Sequence, residues 1–168
     1  MLKIFAREVA GLALAAALAV VPALRAQQSN DAAAPRPAQI LTARTIFISN
    51  ASEECPSFYC SAPDQPYNNF YASMKSWGRY ELMASPEEAD LIFEIRFIPS
   101  RPGEFPQVRL VILDRKTRVV LWRLDETVAT AARQATGRKN FDKAMSALLQ
   151  DVEKLVIPSS AAPGAPTK

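Results

Sequence analysis

From residue 44 to residue 157 the apolar positions keep changing period, and each change marks an element. The run "TIFISN" is β-branched and aromatic and reads as a strand that ends at the turn-former Asn50. In "YNNFYASMKSWG", Phe70, Met74 and Trp77 recur at i, i+4 and i+7, one face of a helix, with Gly78 placed to cap its C-terminus. "RYELM" is a second, short strand. In "SPEEAD" Ser85 takes the N-cap position, Pro86 the first helical position and Glu88 the place three residues on, the capping-box spacing of a single helical turn. "LIFEIRFI" puts Leu91, Phe93, Ile95 and Phe97 on one face against Ile92, Glu94, Arg96 and Ile98, which predicts an inner strand with one side against helices.

"RPGEFP" is a turn. "QVRLVILD" and "RVVLWRLDETV" then flank Asp114 to Thr117 and predict a β-hairpin. Its register is open, because several loop lengths fit "DRKT" and a slip of one residue exchanges the faces. A three-residue loop sets Leu110 opposite Trp122 and Ile112 opposite Val120, and makes Arg109 face Arg123, a mildly unfavourable like-charge pair. Last, "NFDKAMSALLQDVEKLV" carries Phe141, Met145, Leu148, Val152 and Leu155 at helical spacing, with Asn140 as its cap. The order predicts an α+β, two-layer domain: a small mixed sheet of about four or five strands with two main helices packed on one face. Residues 44–157 suffice for one core. No internal repeat is present.

The N-terminal pattern is different in kind. Lys3 and Arg7 precede an apolar run from Val9 to Val21, followed by Pro22 and small residues at Ala23 and Ala26. This is the layout of a secretory signal peptide, residues 1–26, cleaved after Ala26 or, as the alternative, after Ala23. The run falls short of the ~20 apolar residues of a membrane span, so no stable membrane anchor is expected after cleavage. Residues 27–43 and 158–168, rich in Ala, Pro and Ser, read as a disordered linker and a disordered tail. Loss of Lys3, Arg7, Arg25 and Glu8 with the signal leaves 17 basic and 16 acidic residues. The basic balance of the whole chain is therefore largely a targeting feature, and nucleic acid is not an expected partner.

Export sets the chemistry of the two cysteines. Cys55 and Cys60 bracket "ECPSFYC" in a chain without histidine. Without imidazole the Ser/His/Asp and Cys/His nucleophile systems are unavailable, and zinc needs more soft ligands than two thiols, so neither a metal nor a cofactor is expected. The C-x4-C spacing within a loop is not the C-x-x-C of a thioredoxin-like centre. In an oxidising compartment the pair reads as a structural disulfide closing a small ring, worth about 2 kcal/mol. It would present Phe58 and Tyr59 on a constrained loop, where the rings either fold back onto the domain or meet a partner.

The acidic pairs Glu53/Glu54, Glu87/Glu88 and Asp125/Glu126 are sequence neighbours, whose side chains diverge on either a strand or a helix. They are solvated surface rather than acid/base pairs. Trp122 on the return strand reads as core, and Arg115, Lys116 and Arg118 as a solvated hairpin tip.

Three stretches taken together, "SPEEADLIFEIRF", "VRLVILDRKTRVVLW" and "NFDKAMSALLQDVEKL", resemble an uncharacterised family of small secreted bacterial envelope domains, often lipoproteins. The resemblance extends more distantly to the TolB N-terminal domain and to CsgG/LpoB-type envelope components. It covers about residues 44–157 and rests on Ala89 and Asp90 before the strand, Asp114 and Thr117 at the hairpin turn, and Trp122 on the return strand. Two features depart from it. Arg118 stands where such domains carry glycine, at a cost of roughly 1–2 kcal/mol if its backbone is left-handed, and no cysteine follows the signal to take a lipid.

The resemblance implies a non-catalytic domain acting through protein contacts. The resulting expectation is a non-enzymatic periplasmic or secreted accessory domain of the cell envelope, its partner another envelope protein met at the sheet edge or at Phe58 and Tyr59. The alternative is a binder of a small ligand or envelope polymer that uses the open sheet face and the disulfide loop.

Overall fold

The computed structural model describes residues 35–157 apart from residue 53. The segments assigned to the signal peptide and the C-terminal tail lie outside the described residues. In chain order the elements are α1 (Ala38–Thr42), β1 (Thr45–Asn50), α2 (Gln65–Trp77), β2 (Glu81–Leu82), a 3-10 turn (Pro86–Glu88), β3 (Leu91–Ile98), β4 (Gln107–Asp114), β5 (Val120–Thr127) and α3 (Gln134–Val156). The five strands form one mixed sheet in the order β2-β1-β3-β4-β5, with β1 parallel to both neighbours and β3, β4 and β5 antiparallel. This is the α+β architecture that the apolar periods predict.

The inner face is built by the expected alternation. Ile46, Ile48, Leu91, Phe93, Ile95, Phe97, Val108, Leu110 and Ile112 meet Phe70 and Met74 of α2 and Phe141, Met145, Leu148 and Val152 of α3 in a single core. Gly78 ends α2 in the left-handed conformation (φ 67°) and donates its amide to the Met74 carbonyl at 3.1 Å. The outer face holds a separate apolar group, Ile92, Val111 and Leu113 with Phe47 beside them, to which no described helix contributes.

Four details correct the sequence reading. The first concerns the linker, whose last residues belong to the domain. Ile40 of α1 is fully buried, Arg79 donates to the Leu41 carbonyl at 3.2 Å, and Arg36 reaches across to the carbonyls of Lys154, Leu155 and Ile157 at 3.0, 2.9 and 2.6 Å. One guanidinium thus satisfies the carbonyls that the end of α3 leaves open.

The second concerns α3, which starts at Gln134 and not at Asn140. Asn140 lies inside the helix and donates to the Ala129 carbonyl at 2.9 Å, pinning the chain as it leaves β5. The third concerns the turn after β2, where Glu87 rather than Glu88 answers Ser85. The Ser85 hydroxyl accepts from the Glu87 amide at 3.3 Å and donates to the Glu87 carboxylate.

The fourth is the hairpin register. Leu110 faces Leu124, Ile112 faces Trp122, and Arg109 faces Asp125, with which it forms an ion pair, in place of Arg123. The physical reason is the turn. The Asp114 carboxylate accepts from the Thr117 amide and hydroxyl, both at 2.7 Å, Arg118 donates its amide to the Asp114 carbonyl at 2.9 Å, and its φ of 59° turns the chain back so that the Val119 carbonyl accepts from the Asp114 amide at 3.0 Å. The loop therefore consumes more residues than "DRKT" alone, and a bulge follows at Ile112/Leu113. The slip is an even number of residues, so Trp122 keeps its inward face.

Candidate functional site

The cystine loop turns inward. Cys55 and Cys60 are joined and both belong to the core, with Cα atoms 5.9 Å apart. Around them Tyr59 and Cys60 donate their amides to the Pro56 carbonyl at 2.9 and 3.0 Å, and Cys55 donates to Pro63 at 3.3 Å. Phe58 and Tyr59, for which the sequence leaves fold-back and partner contact both open, are half-buried and fold back onto the domain. Tyr59 stacks on Phe97 (5.5 Å between centroids), which in turn meets Phe141. Phe58 lies on α3 at Gly137, where a Cβ would come within 2.7 Å of its ring and 2.9 Å of its carbonyl. Gln134 completes the seam by donating to the Ser57 carbonyl at 2.7 Å.

The far edge of the sheet is open. Among the described residues nothing pairs with the outer side of β5. Val128 donates to the Pro106 carbonyl at 2.8 Å, which sets the phase of the β4–β5 ladder. Val108/Glu126, Leu110/Leu124 and Ile112/Trp122 are accordingly the hydrogen-bonded pairs, and Gln107/Thr127, Arg109/Asp125 and Val111/Arg123 the alternate ones. The amides and carbonyls of Arg123, Asp125 and Thr127 then point away from the sheet. In the alternate pairs side chains approach closely, which suits the ion pair of Arg109 with Asp125.

The polar end of the outer face forms an open cleft of about 460 Å³, lined among others by Arg96, Arg101, Glu104, Phe105, Gln107 and Arg109. Arg96 and Arg109 are cross-strand neighbours, and each is relieved by a carboxylate, Glu94 at 3.2 Å for the first and Asp125 for the second. Arg96 keeps its Nε buried and without a hydrogen-bond partner.

Other titratable groups serve the frame. Asp90 accepts from the amides of Arg44 (2.8 Å) and Thr45 (3.1 Å), which hold its carboxyl below the usual carboxylate range. The amide and hydroxyl of Thr117 do the same for Asp114, and the Ser85 hydroxyl for Glu87. Glu126 moves the other way, raised by partial desolvation and by Asp151 on α3 beside it. Burial raises the Tyr80 phenol. No described helix is long and apolar enough to cross a membrane.

No family model matches this chain. Nor does any curated protein. Among solved structures, the PelC dodecamer from Paraburkholderia phytofirmans aligns over 67% of this chain and 86% of its own, at 15% identity and a TM-score of 0.41. A Xanthomonas campestris protein assigned to DUF330 aligns over 68% and 81%, at 14% identity and a TM-score of 0.45. At these values the likeness carries no function across.

The hairpin edge and the cleft are features that the sequence hides. Their residues are spread from Arg96 to Thr127, and only the register of three strands brings Arg96, Arg109 and Asp125 into one row. Glu126 and Asp151 likewise meet only through the packing of α3 under β5. The legible signal was weaker: arginines at outward positions of strands whose other face is wholly apolar.

Proposed function

We propose that this chain is a non-catalytic protein-interaction domain of the bacterial cell envelope that receives an extended segment of another envelope protein along the free edge of β5. The row of outward backbone groups at Arg123, Asp125 and Thr127 carries this reading. β5 is eight residues long and contains no proline, and its first residue, Val120, and Val119 just before it are exposed to 49% and 58%. An edge of that length is a template for strand addition, in which main-chain hydrogen bonds supply affinity and alternate side chains supply specificity. The N-terminal signal pattern and the cystine support an oxidising compartment outside the cytoplasm. The chain has no histidine, and Glu94 and Asp125 are occupied by arginines, so the reading needs no catalytic step.

The test uses the full-length chain in intact cells, with a photo-reactive residue at Thr127 or, separately, at Phe58. A discrete protein adduct is expected from position 127 and not from 58. Arg123→Pro should abolish it, because that amide points off the sheet and its loss leaves the ladder to β4 intact. An adduct that survives Arg123→Pro, or one obtained from Phe58 alone, overturns the assignment to β5.

A further inference from the structure

The cleft at the polar end of the outer face has more donors than the protein itself uses. Asp125 engages Nε of Arg109, and Gln107 accepts from its Nη2 at 3.3 Å. Glu94 takes Nη2 of Arg96. That leaves Nε and Nη1 of Arg96, Nη1 of Arg109 and the whole guanidinium of Arg101 without a hydrogen-bond partner among the described residues. Arg96 Nε is buried and without an acceptor, while the rest of the Arg96 guanidinium, on a side chain 38% exposed, faces the open cleft with Nη1 unpaired among the described residues. The second such atom, Arg138 Nε on α3, does not line the cleft. Among the described lining residues Glu104 is the one carboxylate; two of the three guanidinium groups are each paired with a carboxylate from outside the lining, Glu94 and Asp125, and Arg101 is not.

Beside these donors stands a ring that the fold does not bury. Phe105 is 58% exposed. Gly103, at φ 83°, turns the chain there, and Pro106 begins the descent into β4 and is itself buried, so Phe105 is held at the rim. Guanidinium forks match carboxylate and phosphate in a bidentate geometry, and an aromatic face accepts the apolar face of a flat or cyclic group. We infer that the cleft binds an acidic sugar, its ring against Phe105 and its carboxylate or phosphate held by Arg96 and Arg101. This site goes beyond the strand-docking role and stands apart from it, since Arg101 and Phe105 lie off the β5 edge.

The experiment follows the arginine Nε–H resonances of the purified full chain, at low ionic strength, during titration with trigalacturonate, glucose 6-phosphate, inorganic phosphate or uncharged maltotriose. The acidic sugars should shift the Arg96 and Arg101 signals and maltotriose should not, with the response weakened by salt. Arg101→Gln and Phe105→Ala should each lower affinity about tenfold or more. Tighter binding of trigalacturonate points to an acidic polymer and of glucose 6-phosphate to a small sugar phosphate, and either supports the site. The inference is overturned if neither acidic sugar moves these resonances, if both variants respond like the parent, or if inorganic phosphate binds as tightly as the sugars and Phe105→Ala has no effect.

Discussion

The cystine loop, packed on the inner face against the end of β3 and α3, and the β4–β5 hairpin at the edge of the sheet treat their polar groups in opposite ways. The loop carries both sulfurs and two adjacent aromatics, yet it sends the sulfurs into the core, Tyr59 onto Phe97 and Phe58 onto Gly137. The hairpin looks ordinary in sequence but leaves the backbone of Arg123, Asp125 and Thr127 facing outward. Conspicuous residues here serve architecture, while plain ones leave backbone hydrogen-bonding groups open at an edge.

The contrast can be broken most forcefully at Gly137. Gly137→Val pushes a branched side chain against both the ring and the carbonyl of Phe58, and should cost about 2–3 kcal/mol in denaturant unfolding. Little loss would mean that the loop is not clamped to α3. Next in size, replacing Cys55 and Cys60 together with serine should cost about 2 kcal/mol. Hydrogen exchange should then rise in residues 54–63 and the first turns of α3, while β3 and β4 stay protected. Collapse of the whole sheet would show the cystine to be central rather than local. On the edge strand, Arg123→Pro should change stability by no more than about 0.5 kcal/mol. A large loss there would place that amide inside the ladder.

Smaller effects are read by pH. The folded pKa of Asp90 is lowered, so its stabilisation is present above the unfolded value and is lost as pH falls through the folded one. Asp90→Asn should lower Tm at neutral pH and bring the variant and parent together in acid. Glu126, on the edge strand itself, has the opposite sign. Its raised pKa makes ionisation unfavourable in the folded state, a penalty that sets in as pH rises through the unfolded value. Glu126→Gln should therefore raise Tm slightly at neutral pH and leave it unchanged in acid, and thermal scans across pH read both.

Much of the frame was legible because it depends on local period. Phe70 and Met74, Leu91 to Phe97 and Phe141 to Val152 all pack as their spacing requires. What was not legible depends on contacts distant in sequence. α1 is too short for a period and is held by Tyr80, Arg79 and the end of α3. The first turns of α3 read as a poor helix because "QATGRK" has no apolar stripe and contains glycine, which costs about 1 kcal/mol there. In the fold they are held by Phe58 packed against Gly137 and by Gln134 donating to the Ser57 carbonyl. The hairpin register followed from the Asp114–Thr117 turn and a left-handed Arg118, a conformation that residue type alone argues against.

Amide exchange of the purified chain, resolved residue by residue along β5, tests the open edge most directly. Trp122, Leu124 and Glu126 should exchange slowly, and Arg123, Asp125 and Thr127 quickly, an alternation that the bound partner segment should erase. Uniform slow exchange along β5 in the isolated chain would contradict the account, because the edge would then already be covered.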